Sequence, residues 1–277
     1  MFSTVAVVGA GTMGQGIAQL LVEAGLTVRL YDHAPQALDR AMAAVTRRLQ
    51  RRLDAGAQPA TAPGALLAAG AMTQLADAEL AIEAVPEDLG LKQAVLAELE
   101  DHLAASAVLA SNTSCLDIDA LARATRRPQR VLGLHFFNPP PLMPLIEVVP
   151  ATATDQTVIA AVHAFAQSLG KTPITVANRP GFIVNRLLFA MIAEAVRIID
   201  EGWSCAADVD RALCLGASHP IGPLALADFI GLDVTVDILN SLTIGLGPHY
   251  APAAALRDLV AGGHLGRKSG RGFFPYG

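Results

Sequence analysis

Residues 5–32 read VAVVGAGTMGQGIAQLLVEAGLTVRLYD. An apolar run, Val5–Val8, meets glycines at 9, 11 and 14. A helical pattern follows (Ile17, Leu20, Leu21), then Gly25, then a second apolar run that ends in Asp32. The order is strand, glycine turn, helix, strand, acid. Gly9 permits the tight turn out of the strand. Gly11 has no side chain, so backbone can approach a pyrophosphate, and Gly14 lets the helix pack close to the sheet. The amides that open the helix, at Thr12 and Met13, would lie at its positive dipole end, facing phosphate. Asp32 can accept hydrogen bonds from a ribose 2′,3′-diol and would repel a 2′-phosphate. The stretch is therefore read as a site for NAD rather than NADP; the alternative is a glycine-rich turn that binds nothing.

The rest of the composition sets bounds. The chain has 277 residues, enough for one large domain or two ordinary ones. It is 52% hydrophobic and only 16% charged, which suffices for a sizeable core and an extra apolar surface for self-association. A net charge of −5 gives no argument for nucleic acid or an anionic membrane as partner. Cys115, Cys205 and Cys214 show no metal-like spacing, and their odd number argues against a disulfide framework. A reducing cytoplasm and no metal site are expected. Phe2–Val22 carries no charge but lacks a basic flank and is interrupted by glycines and glutamine, so no transmembrane segment is expected.

Along the chain, Asp39–Ala55 reads as a helix bearing Arg40, Arg47, Arg48, Arg51 and Arg52. Ala55–Gly70, rich in Ala, Pro and Gly, reads as a loop or a frayed helix end. Strands are expected at Leu80–Val85, Val108–Ser111, Val131–Phe136, Leu145–Val149 and Thr172–Ala177, with helices at Leu89–Leu103 and Thr157–Leu169. Alternating strands and helices imply an α/β fold, a Rossmann-type, doubly wound, mostly parallel sheet. Asn178-Arg179-Pro180-Gly181 changes the texture, and Phe182–Glu201, Cys205–Leu215, Pro223–Ile244 and Leu256–Gly262 all read as helix. The expected division is 1–180 for the dinucleotide domain and 181–277 for an all-α domain.

Three segments end strands with polar residues: Val85-Pro86-Glu87, Ser111-Asn112-Thr113-Ser114 and His135-Phe136-Phe137-Asn138. In an open α/β sheet, ligands sit at the carboxyl ends of the strands. Glu147 lies inside the apolar run LIEVV, a costly place for a carboxylate without a partner. Two strands joined by the proline loop at 139–141 would bring His135 and Glu147 together. A carboxylate on one imidazole nitrogen fixes the tautomer and raises the basicity of the other, which makes a general base. The alternatives are a satisfied histidine at a strand end and an edge-strand acid facing water.

With these residues in view, the chain resembles the L-3-hydroxyacyl-CoA dehydrogenases of the 3-hydroxybutyryl-CoA dehydrogenase type. GAGTMGQGIA, EAVPEDLGLK, SNTSCL, GLHFFNPPPLMPLIEVV, RPGFIVNRLL, HPIGPLALADFIGLD and GRKSGRGFF occur in that order, so the likeness covers nearly the whole chain. It implies hydride transfer between NAD and a 3-hydroxyacyl thioester, within fatty acid metabolism. It implies His135 as general base, Glu147 as its partner, and Ser114 and Asn185 on the substrate oxygens. It also implies that Asp32, Glu87, Lys92, Ser114, Asn138 and Lys268 line the NAD site, and that the helical domain makes a homodimer. Glu87 with Lys92 reads equally as an ion pair at a helix start, and Lys268 as a solvated turn charge. Related enzymes place lysines after the position of Asp39, beside the CoA 3′-phosphate, but this chain has no lysine before Lys92. Arg48, Arg51 and Arg52 could serve instead, or form a solvated helix face. The acyl group would ride on CoA or on the phosphopantetheine of an acidic acyl carrier protein; a free hydroxy acid and a non-catalytic NAD-binding role are the further alternatives.

Overall fold

The computed structural model describes residues 2–56 and 64–277, which form two compact units, Met1–Asn178 and Arg179–Gly277. The first unit carries eight strands in one sheet: β1 (Thr4–Val8), β2 (Thr27–Tyr31), β3 (Leu66–Ala69), β4 (Leu80–Glu83), β5 (Val108–Ser111), β6 (Val131–Phe136), β7 (Leu145–Pro150) and β8 (Thr172–Thr175). Their spatial order is β3-β2-β1-β4-β5-β6-β7-β8. All neighbours run parallel except β6 and β7, which are antiparallel. Among the described residues five α-helices accompany the strands: α1 (Thr12–Glu23), α2 (Pro35–Asp54), α3 (Leu89–His102), α4 (Ile118–Ala122) and α5 (Gln156–Ser168). β4, β5 and β6 are buried at every position, as expected of strands covered on both faces. Val5, Val7, Ile17, Leu21, Leu30, Ile82, Leu134 and Phe165 belong to one contiguous core.

The sequence reading differs from this at β3. Leu66–Ala69 falls inside Ala55–Gly70, which reads from sequence as a loop or a frayed helix end, yet it pairs in parallel with Val28–Tyr31. Leucine and alanine are weak strand formers, so only the open edge of β2 explains the strand. The middle of that stretch, 57–63, lies outside the described residues.

The second unit is helical: α6 (Val184–Asp200), α7 (Ala206–Gly216), α8 (Pro223–Ile230), α9 (Leu232–Leu246) and α10 (Ala254–Ala261). Pro223–Ile244 is not the single helix expected. Gly231, at φ +107°, divides it, and α8 and α9 meet at a bend of 102°. Glycine is the residue that adopts such a φ without strain. Buried Asp210 accepts from the amides of Leu224 (2.8 Å) and Ala225 (2.8 Å) and so caps the start of α8. Buried Asp228 accepts from the amides of Phe273 and Phe274 (each 2.9 Å) and from the Tyr276 hydroxyl (3.0 Å), which ties down the C-terminal segment. Among the described residues no single helix is long and apolar enough to cross a membrane.

Candidate active site

The dinucleotide end of the site is built by the turn from β1 into α1. Gly9 takes φ +105°, and a Cβ there would meet the Ala84 carbonyl oxygen at 2.6 Å. Gly11 is the N-cap of α1, with no side-chain cap, and a Cβ there would meet nothing within 4 Å. Its bare backbone thus faces open space with the first-turn amides behind it, a fit for a pyrophosphate. Gly9, Gly11, Thr12, Met13 and Asp32 line a groove of about 860 Å³. Gly14 packs onto the backbone of Gly9. The Asp32 carboxylate accepts from the amides of Ala10 (2.8 Å) and Ala34 (2.9 Å). It holds the glycine turn while keeping lone pairs for ribose hydroxyls.

The ends of β4 and β5 meet in a polar network. Lys92, on the first turns of α3, is wholly buried. Its Nζ lies 2.7 Å from Glu83 Oε1, 3.1 Å from the Val85 carbonyl and 3.4 Å from Glu87 Oε2. Its nearer carboxylate is therefore Glu83 rather than Glu87. Glu83 also accepts from the Ser111 hydroxyl (2.6 Å) and the Val85 amide (2.7 Å). Sequence reasoning passed over Glu83; its signal was an acid closing the apolar strand LAIE, the same anomaly that marked Glu147. Glu87 Oε1 accepts from Thr113 Oγ1 (2.6 Å), the Ser114 amide (2.8 Å) and Ser114 Oγ (3.1 Å). Burial would raise the Glu87 carboxyl, but the Lys92 ammonium and these hydrogen bonds outweigh it and hold the pKa below the usual carboxylate range. An ionised carboxylate only accepts, so the Ser114 hydroxyl proton points at Glu87.

β6 and β7 bring the second pair together. Their antiparallel register sets His135 directly opposite Glu147, and Nδ1 lies 2.8 Å from Glu147 Oε2. Both are buried, at 6% and 1% exposure. The carboxylate can only accept, so Nδ1 carries the proton and Nε2 is the basic nitrogen. The His135 ring also stacks at a tilt on Phe137, with centroids 4.5 Å apart. Asn138 follows on the exposed loop beyond β6.

Two expected residues lie in the second unit. Asn185 is buried on the first turn of α6. Lys268 forms a two-oxygen ion pair with Asp233, Nζ lying 2.6 Å and 2.5 Å from its carboxylate oxygens, and this pair lowers the Asp233 pKa. On α2, Arg48 donates to Gln15 Oε1 (2.7 Å) and Arg52 pairs with Glu23 (2.7 Å), both tying α2 to α1. Arg51 is exposed. Among the described residues no cluster of His, Cys, Asp and Glu could hold a metal ion.

Comparisons with known proteins match both units over nearly their whole length. Residues 4–179 match the model for the 3-hydroxyacyl-CoA dehydrogenase NAD binding domain, and residues 181–276 match the model for that family's C-terminal domain. A probable 3-hydroxybutyryl-CoA dehydrogenase of Bacillus subtilis is 41% identical over 275 residues, covering 98% of this chain and 96% of its own. A 3-hydroxybutyryl-CoA dehydrogenase of Mycobacterium tuberculosis is likewise 41% identical over 279 residues, covering 98% of both chains. The crystal structure of (S)-3-hydroxybutyryl-CoA dehydrogenase from Ralstonia eutropha superposes with a TM-score of 0.95 at 40% identity, covering 100% of each chain.

Proposed function

The chain belongs to the 3-hydroxyacyl-CoA dehydrogenase family, and on that premise we propose that its substrate is a short L-3-hydroxyacyl thioester of coenzyme A, with 3-hydroxybutyryl-CoA foremost. It is an NAD-dependent oxidoreductase. The observation that carries the reading is the buried His135–Glu147 pair at the carboxyl end of β6.

In the oxidative direction His135 Nε2 takes the substrate hydroxyl proton, and Glu147 stabilises the imidazolium that results. In the reductive direction the same nitrogen returns the proton. Asn185 donates to the substrate oxygen as it gains negative charge, and the Ser114 hydroxyl turns from Glu87 to do the same once substrate is bound. Glu87 keeps the Ser114 segment in place through its bonds to Thr113 and Ser114. Bound NAD supplies the hydride acceptor. The amides after Gly11 would hold its pyrophosphate and Asp32 its ribose, with Asn138 and Glu87 also lining the site. In this reading Lys92 acts from beneath the surface through Glu83 and Glu87.

The same reading makes the protein a cytoplasmic homodimer. Its three cysteines are thiols, and the second unit exposes Leu187, Leu215, Phe229 and Ile244. The deciding experiment offers acetoacetyl-CoA, the same acyl group on an acyl carrier protein, and free acetoacetate, and follows NADH consumption. Saturable turnover of the CoA thioester alone is expected. Saturation only by the carrier-bound group would reassign the substrate, turnover of the free acid would remove the need for a thioester, and no turnover at all would remove the thioester reading.

A further inference from the structure

The chain contains only three lysines, at 92, 171 and 268, among twenty lysines and arginines. Two belong to the ion pairs already described. The third, Lys171, stands between α5 and β8, is 8% exposed, and takes no part in the site as described. Its Nζ donates to the carbonyls of Pro140 (2.8 Å), Met143 (2.9 Å) and Pro141 (3.2 Å). All three carbonyls belong to the loop that joins β6 to β7, between His135 and Glu147, and that loop also carries Asn138.

Prolines at 139, 140 and 141 have no N–H, so this loop has few donors of its own to spend on its carbonyls. An ammonium presents three donors from a single point and can meet three converging acceptors. A planar guanidinium cannot, which explains a lysine rather than an arginine at this buried position. Burial lowers the Lys171 pKa, against the pull of Glu23 on α1. The loop is gripped from its other side too. Pro140 packs on Gly16 of α1, where a Cβ would meet its Cδ at 2.6 Å and its Cγ at 2.9 Å.

We propose that Lys171 and Gly16 are positioning residues, a clamp that seats the β6–β7 loop against the dinucleotide-binding helix and so places Asn138 and the His135–Glu147 pair relative to it. Lys171 supplies the polar grip and Gly16 the absence of a side chain that lets Pro140 seat. The effect on catalysis rests on the assignment of His135 as the base; the effect on the loop does not.

The test uses the full chain with Lys171→Met, which keeps the stem and removes the donors, and Gly16→Ala, which pushes the loop from the opposite face. Expected in both variants are a kcat for acetoacetyl-CoA lower by about 10- to 100-fold and an enlarged isotope effect with NADH deuterated at the transferred position, because misplacement of about 1 Å slows hydride transfer. NADH affinity, read by fluorescence titration, falls far less than kcat. Amide exchange at Leu142 and Met143, which both donate to the Pro139 carbonyl, accelerates in both variants. A variant whose melting temperature drops while kcat, isotope effect and loop exchange per folded molecule stay at wild-type values overturns the clamp. Should Lys171→Met not fold, Gly16→Ala and Lys171→Arg carry the same measurements. Inactivity of the wild type itself would remove the His135 assignment instead, and loop exchange would still decide the clamp.

Discussion

His135 is useful chemically because Glu147 leaves it one tautomer, and this sets two expectations. His135→Gln keeps a similar volume and loses the base, so kcat falls by about 10²- to 10⁴-fold. NADH binding, measured by fluorescence, is retained. Glu147→Gln offers Nδ1 an amide that either donates or accepts, so the tautomer is no longer dictated, and kcat falls by about 10- to 100-fold, the usual cost of losing such a partner. Near-normal turnover in the first variant would take His135 out of the reaction. Glu87 gives a pH expectation. Its folded pKa lies below its unfolded value, so its stabilising contribution is complete above the ordinary carboxylate range and is lost as pH falls through the folded value. Glu87→Gln has no such proton to take up. Melting temperatures followed from neutral to acid pH therefore fall more steeply for the wild type than for the variant, and parallel curves would contradict the assigned ionisation.

At the scale of elements, the hairpin of β6 and β7 was legible because its signals were local. The run VLGLHF, the prolines and LIEVV place a histidine and an acid at matching distances from one turn, and the register pairs them. The glycine turn before α1 was legible for the same reason. Partnerships between a strand and a helix, where no shared register announces the pair, were not. Glu83 and Lys92 sit nine residues apart on different elements, and only the fold shows that the lysine points inward at β4. β3 was invisible because its residues have little strand preference and depend on the edge of β2. Gly231 was misread because apolar periodicity runs through it. A single glycine inside a helical pattern is tolerated, and only the backbone reveals φ +107°. That position yields a prediction. Gly231→Ala places a β-carbon in a left-handed conformation, 3.0 Å from Asp233 Oδ1 and 3.3 Å from Lys268 Nζ. It should destabilise the chain by roughly 1–3 kcal/mol, seen as a lower urea midpoint. An unchanged midpoint would mean that the bend between α8 and α9 relaxes without cost. Asp210→Ala, which uncaps α8, should cost about 1–2 kcal/mol in the same measurement.

For the whole molecule the open quantity is how many chains make the working enzyme. Leu187 on α6, Leu215 on α7, Phe229 on α8 and Ile244 on α9 are 68%, 74%, 60% and 90% exposed, although all lie in a unit with its own closed core. Scattered exposed leucines are ordinary on a monomer, but strongly exposed apolar side chains on four successive helices of one unit are apolar area that a second copy would remove from water. The chain's low charge content points the same way, since few ion pairs would have to be desolvated at such a contact. A C₂ dimer uses the same patch twice, so each substitution acts twice in the complex. Sedimentation of the wild type at micromolar concentration is therefore expected to give twice the mass of one chain. Leu187→Asp combined with Ile244→Asp should move the population to single chains while the far-ultraviolet circular dichroism stays helical. The groove residues Gly9, Gly11, Thr12, Met13 and Asp32 all lie in the first unit, so the variant should still bind NADH. A wild type that sediments as one chain across that range would remove the dimer and leave those helix faces as ordinary solvent-exposed surface.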